Sequence, residues 1–138
     1  MAGPEANFWQ SLKRVKPPEC FAIRLENRAG GGVPDLHMVW GGLPFWVELK
    51  VANSSSVKVS PHQVAWHTAY SARGGLSFFL VKNQSSLKIK LLPGSKVQEL
   101  VSAGFDSAPG LLFSHTRNVF PALRTEVIEH YTKVMQDH

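Results

Sequence analysis

The stretch Gly32-Val33-Pro34-Asp35-Leu36, followed after a Gly41-Gly42 pair by Phe45-Trp46-Val47-Glu48-Leu49-Lys50-Val51, decides the fold. Two apolar-rich runs, Val33 to Trp40 and Pro44 to Val51, flank the two glycines. That pattern predicts an antiparallel hairpin, because tight hairpin turns need positive φ angles that glycine adopts without steric cost. Strand residues two apart share a face. Phe45, Val47, Leu49 and Val51 therefore form an apolar face, while Trp46, Glu48 and Lys50 point the other way. A glutamate and a lysine on an inner strand are costly to bury without partners. Pairing of the two strands brings Asp35 to the same spot, so two carboxylates are expected to converge beside an ammonium.

Outward from the hairpin, Pro4 to Val15 reads as a helix with Phe8, Leu12 and Val15 at helical spacing, stopped by Pro17-Pro18. Cys20 to Glu26 reads as a strand and Ala29 to Gly32 as a glycine loop. Beyond the hairpin, Asn53 to Lys58 is a polar loop, and Ser60-Pro61-His62-Gln63 starts a helix with a capping-box pattern. That helix runs to about Arg73. Leu76 to Lys82 and Leu87 to Leu92 read as two strands around an Asn-Gln-Ser-Ser turn, the second with Leu87, Ile89 and Leu91 opposed to Lys88 and Lys90. Ser95 to Ala103 is a short helix, Phe105 to Asn118 is read as irregular, and Phe120 to Gln136 closes the chain as an amphipathic helix. Its stripe of Phe120, Leu123, Val127, Tyr131 and Val134 is expected to pack on the sheet or against a second subunit. The order predicts an α/β fold, one central mixed sheet flanked by helices. Residues 1–138 read as a single domain, with a core over about 4–92 and a C-terminal helical extension over about 94–138.

Hydrophobic residues make up 43% of the 138 and charged residues 18%, which excludes a disordered tail. No apolar run is long enough to span a bilayer, and the N-terminus shows no secretory pattern. Cys20 is the single cysteine, so neither an intrachain disulfide nor a thiolate zinc cage can form, and a cytoplasmic setting is expected. Fifteen Lys and Arg against ten Asp and Glu leave a net charge of +5, which favours polyanionic partners through counterion release.

Two carboxylates and a lysine around one point suit phosphodiester hydrolysis. Asp35 and Glu48 offer hard oxygen ligands for Mg²⁺, with Mn²⁺ expected to substitute, and the Leu49 carbonyl adds a third oxygen. Lys50 orients the attacking water or stabilises developing charge, a task for a compact ammonium. An isolated Glu-x-Lys is common; its combination with Pro-Asp closing a glycine loop and a hydrophobic second strand is far more specific.

Gly32-Val33-Pro34-Asp35 with Phe45-Trp46-Val47-Glu48-Leu49-Lys50 resembles the PD-(D/E)xK nuclease superfamily, and within it the virus-type replication–repair nucleases and stand-alone phage or prokaryotic Holliday-junction resolvases. The resemblance spans roughly Glu5 to Val81, and Ser60 to Trp66 matches the helix after the lysine strand. It implies a restriction-endonuclease-like αβββαβ core, Mg²⁺-dependent endonuclease activity on DNA, branched DNA as substrate, and homodimers acting in recombination and repair. It also implies that an acidic residue of the first helix, Glu5, and the helix glutamine, Gln63, join the site. Glu5 equally suits its helix N-terminus, and Gln63 is equally explained by the capping box.

Arg24, Arg28, Lys58, Arg73, Lys88 and Lys90 are candidate phosphate contacts, as is Lys82, each also readable as a solvated surface charge. His37 shares the face of Asp35 but reads as structural. His62 and His67 lie five apart, wrong for a zinc pair on one helix face. Trp46 and Trp66 read as packing residues. No nucleotide-binding glycine pattern occurs, so no small-molecule cofactor beyond a metal and no membrane partner are expected. Two other functions fit the same residues: a phage or restriction-like nuclease acting on duplex DNA without junction preference, and an inactive nucleic-acid-binding module.

Overall fold

Gly41 and Gly42 take φ values of 61° and 78° and turn strand β2 (Leu36–Trp40) into β3 (Leu43–Ala52), the antiparallel hairpin expected from their sequence. The computed structural model describes residues 3–25 and 31–137. Among these the elements run α1 (Pro4–Lys13), β1 (Cys20–Arg24), β2, β3, α2 (Pro61–Ala72), β4 (Ser77–Asn83), β5 (Ile89–Pro93), α3 (Val97–Ser107), β6 (Leu111–Phe113) and α4 (Val119–Gln136). The first six elements that frame the hairpin follow the expected αβββαβ order.

The sheet is mixed, with its strands side by side in chain order from β1 to β6. Among the described residues only β3 and β4 pair in parallel, with α2 as the crossover between them. Alternation along β3 separates the two faces. Phe45, Val47 and Leu49 join Phe8 and Leu12 of α1 and Phe120, Leu123 and Val127 of α4 in one core. The C-terminal helix is thus part of the main core, as its apolar stripe requires. On the other face, Phe79 and Val81 of β4 and Leu92 of β5 pack with Val97, Leu100 and Phe105 of α3. Pro61 at the first turn of α2 and the reciprocal Ser60–Gln63 capping box start that helix as its sequence predicts.

The structure departs from the sequence reading toward the C-terminus. Leu111–Phe113, expected to be irregular, is a short edge strand on β5. Three residues carry too little periodicity to announce a strand, and pairing with β5 creates it. Leu87 is not in β5. It is exposed at a left-handed φ of 64°, in a turn built by the Asn83 side chain, which accepts from the Ser85 and Ser86 amides at 2.9 and 3.1 Å. Lys90 does not line a basic face. It is 5% exposed beneath α3, donating to the Ala108 carbonyl at 2.7 Å, with its ammonium 5.4 Å from the Phe105 ring centre. Both faces of β5 are covered, so alternation there did not mean one wet side. No helix among the described residues is long and apolar enough to cross a membrane.

Candidate active site

Leu36 pairs with Val47, which places Asp35 across from Glu48 at the point where β2 begins. The Asp35 carbonyl accepts from the Leu25 amide at 2.7 Å, holding it to the end of β1. Its Oδ2 accepts from the Leu49 amide at 3.0 Å. The two carboxylates are therefore brought together as the hairpin register requires.

Glu48 is 2% exposed, and among the described residues its Oε1 has no hydrogen-bond partner. Burial drives its pKa far above the ordinary 4.5, past neutral pH; the hydrogen bond with Asp35 and that residue's charge push the same way, while Lys50 opposes them. Glu5, half-buried in the first turn of α1, adds a weaker repulsion. It lies within electrostatic reach of Glu48, yet among the described residues no three His, Cys, Asp or Glu side chains gather as a metal-binding group.

Lys50 lies on the Glu48 face of β3, and its Nζ donates to Gln63 Oε1 at 2.8 Å. The same oxygen accepts from the Ser60 amide at 3.0 Å. Gln63 thus caps α2 and positions the lysine at once; the two readings of this residue do not compete. The preceding glycine loop is pinned here too. Gly32 is buried at φ 77°, and a Cβ there would overlap the His62 carbonyl and lie 2.9 Å from the Gln63 nitrogen. The close approach that Gly32 permits is to helix α2.

His67, whose spacing from His62 reads only against a zinc pair, also belongs to this neighbourhood. It is fully buried, its Nδ1 is 2.8 Å from Ser77 Oγ, and among the described residues its Nε2 has no partner. Burial, helped by the Lys50 charge, lowers its pKa to about 4. The available signal was its spacing, four residues after Gln63 and so on the same helix face.

A row of rings adjoins the carboxylates. His37 and Trp46 are cross-strand partners with ring centres 4.6 Å apart; Trp46 meets Trp66 at 5.8 Å, and Trp66 stacks on Tyr70 at 4.6 Å. All four are half-buried.

The expected phosphate contacts scatter. Arg24 is exposed but pairs with Leu36, so it projects to the face opposite Asp35 and Glu48. Lys58 is exposed in the loop before α2. Arg73 caps the far end of that helix, bonded to the Ala69 carbonyl at 3.0 Å and roughly 15 Å along the axis from Gln63. Lys88 is exposed in the β4–β5 turn, and Lys82 lies on the α1–α4 side of β4. Lys90 is not a phosphate contact, because its ammonium is committed to the Ala108 carbonyl under α3. Arg28 lies outside the described residues.

No protein-family model matches this sequence, and no curated protein matches it. Among solved structures, the 1.6 Å structure of Archaeoglobus fulgidus Hjc, described as a Holliday junction resolvase from an archaeal hyperthermophile, is similar over 65% of this chain and 74% of that one, at 16% identity and a TM-score of 0.48. At that identity and score the likeness decides neither site nor activity. The side chains have to carry both.

Proposed function

We propose that this chain is a divalent-metal-dependent DNA endonuclease, selective for branched DNA, with Asp35, Glu48 and Lys50 as its catalytic residues. The observation that carries the proposal is the pairing of buried Glu48 with half-buried Asp35, while Glu48 Oε1 has no hydrogen-bond partner among the described residues. Holding a buried carboxylate charge against a second one is unfavourable, and either a proton on Glu48 or a divalent cation shared by the two relieves it. The donor set fits Mg²⁺, which is commonly held by one or two carboxylates and completed by water and substrate phosphate, and Mn²⁺ should replace it. Asp35 and Glu48 would hold the ion. The Leu49 carbonyl is a further donor, since a strand residue's carbonyl lies on the same side as its amide, and that amide points at Asp35.

When bound, the ion supplies polarisation of a phosphate oxygen and a hydroxide nucleophile at neutral pH. Lys50, held by Gln63, presents its ammonium to the charge that develops on phosphate. Asp35 stays oriented through the Leu49 amide. Glu5 and Gln63 belong to the proposed site as supporting residues: Glu5 adds negative potential, and Gln63 restrains Lys50. The surplus positive charge of the chain favours DNA approach, with Lys58 and Lys88 left as exposed candidate contacts. A homodimer would set two such sites to cut two strands.

Purified protein with Mg²⁺ should cleave a four-way junction in preference to a linear duplex of the same sequence. Asp35→Asn and Lys50→Ala should abolish cleavage and leave junction binding in Ca²⁺ intact. Equal cutting of junction and duplex removes the branch preference; no cutting of any DNA with Mg²⁺ or Mn²⁺ removes the nuclease.

A further inference from the structure

We infer that the ring row His37–Trp46–Trp66–Tyr70 is a stacking shelf for one unpaired nucleobase of the strand whose phosphate sits at Asp35 and Glu48. The inference rests on the nuclease reading and gives its branch preference a physical source.

Trp46 precedes Glu48 by two residues on the same strand face, and His37 follows Asp35 by two on its own. The rings therefore begin one side-chain step, roughly 7 Å, from the carboxylates. That is the scale on which a base stands off from its own backbone. The rings hold one another: Trp46 is tilted against His37 and edge-on to Trp66, which in turn meets His67 edge-on and stacks on Tyr70. A rigid ring surface costs little entropy when a ligand settles on it.

Core burial does not explain this placement. Trp9 and Trp40 lie inside the opposite core at 6% and 9% exposure, whereas Trp46 and Trp66 are half-buried beside the site. Toward the sheet edge, Ile23 pairs with His37 and Phe21 with Val39, and both are exposed, at 46% and 58%. The face thus carries a row of rings next to the carboxylates and continues at its margin into exposed Ile23 and Phe21. Continuity with a phosphodiester site and a positive net charge favour nucleic acid as the occupant. Within linear duplex every base face is already covered by its neighbours. At a branch or bulge a base is free to stack on protein, and such stacking is tolerant of sequence. The shelf therefore rewards DNA shape.

The test uses the full chain in Ca²⁺ with three DNA probes: a linear duplex, the same duplex with one unpaired thymine, and that bulged duplex with an abasic nucleotide replacing the thymine. The unpaired thymine should bind about tenfold tighter than the abasic probe, within the range that base–aromatic stacking supplies. It alone should quench tryptophan emission. Trp46→Leu should shrink the preference below about twofold with abasic binding unchanged, and Trp46→Phe should retain part of it. The wild-type comparison decides the matter even where a variant folds poorly. Equal affinity for the thymine and abasic probes overturns the shelf. So does a DNA-independent dimer, seen by sedimentation, that Trp46→Leu dissociates, since the face would then be a protein interface. Cleavage that persists with either result leaves the nuclease standing; loss of binding to all three probes and of cleavage sinks both.

Discussion

Glu48→Gln should make the metal-free protein more stable while destroying its activity. In the folded chain Glu48 is 2% exposed, beside Asp35, with one oxygen unpartnered among the described residues and its pKa raised past neutrality. A raised carboxyl pKa contributes full stability below the unfolded value of 4.5 and loses it as pH climbs toward the folded value. Each pH unit of that climb is worth about 1.4 kcal/mol, so by about pH 7.5 the wild type has lost about 4 kcal/mol relative to acid. A buried amide has its own desolvation cost of about 2 kcal/mol. The substitution should therefore gain about 2 kcal/mol at neutral pH, about 6 °C in melting temperature for a domain of this size. Thermal melts in EDTA across the pH range measure it: the gap should vanish near about pH 6 and reverse below it, because the amide's cost is independent of pH while the wild-type loss fades toward 4.5. Added Mg²⁺ should raise the wild-type midpoint and leave Glu48→Gln unmoved. A variant less stable than wild type at neutral pH in EDTA, or an offset insensitive to pH, refutes the claim that this carboxylate is held at a cost.

Lys90→Met should lower stability by about 2 kcal/mol in urea unfolding, through loss of its charge-assisted bond to the Ala108 carbonyl, with little change in cleavage; Lys88→Ala should stay within about 0.5 kcal/mol of wild type. Gln63→Ala and Ser60→Ala should each cost about 1 kcal/mol through the broken capping box, but only Gln63→Ala, which also frees Lys50, should slow cleavage, on the order of tenfold or more. Similar rates for the two variants would mean that Gln63 only caps. The His67 imidazole, followed by ¹H–¹⁵N NMR, should titrate near 4. Its lowered pKa makes its share of stability complete above 6.5 and lost as pH falls from there toward 4, so a midpoint at or above 6 would contradict the burial argument.

The hairpin, the face carrying Glu48 and Lys50, and the start of α2 at Ser60 were legible in the sequence because each depends on near neighbours. Two glycines allow the turn, a period of two sorts the strand faces, and a four-residue pattern closes the capping box. The approach of Asp35 to Glu48 followed from the same register. Glu5 was harder, since reaching the site depends on how α1 lies across β3, and the structure brings its charge near without completing a group of three.

Local chemistry along the chain was thus enough to specify the αβββαβ elements, the two faces of β3 and the acidic pair. Assembly settled everything that depends on what covers what. Lys90 looked solvated until α3 was laid over β5, Leu111–Phe113 became a strand only by pairing, and Arg24 was carried to the wrong face by its register with Leu36. Trp46 and Trp66 read as packing residues, and only the seating of α2 on the sheet left their rings half-buried in a row beside Asp35 and Glu48. The physical reason is range: backbone angles and strand alternation are set within a few residues, whereas desolvation and exposure are set by whichever distant segment packs alongside.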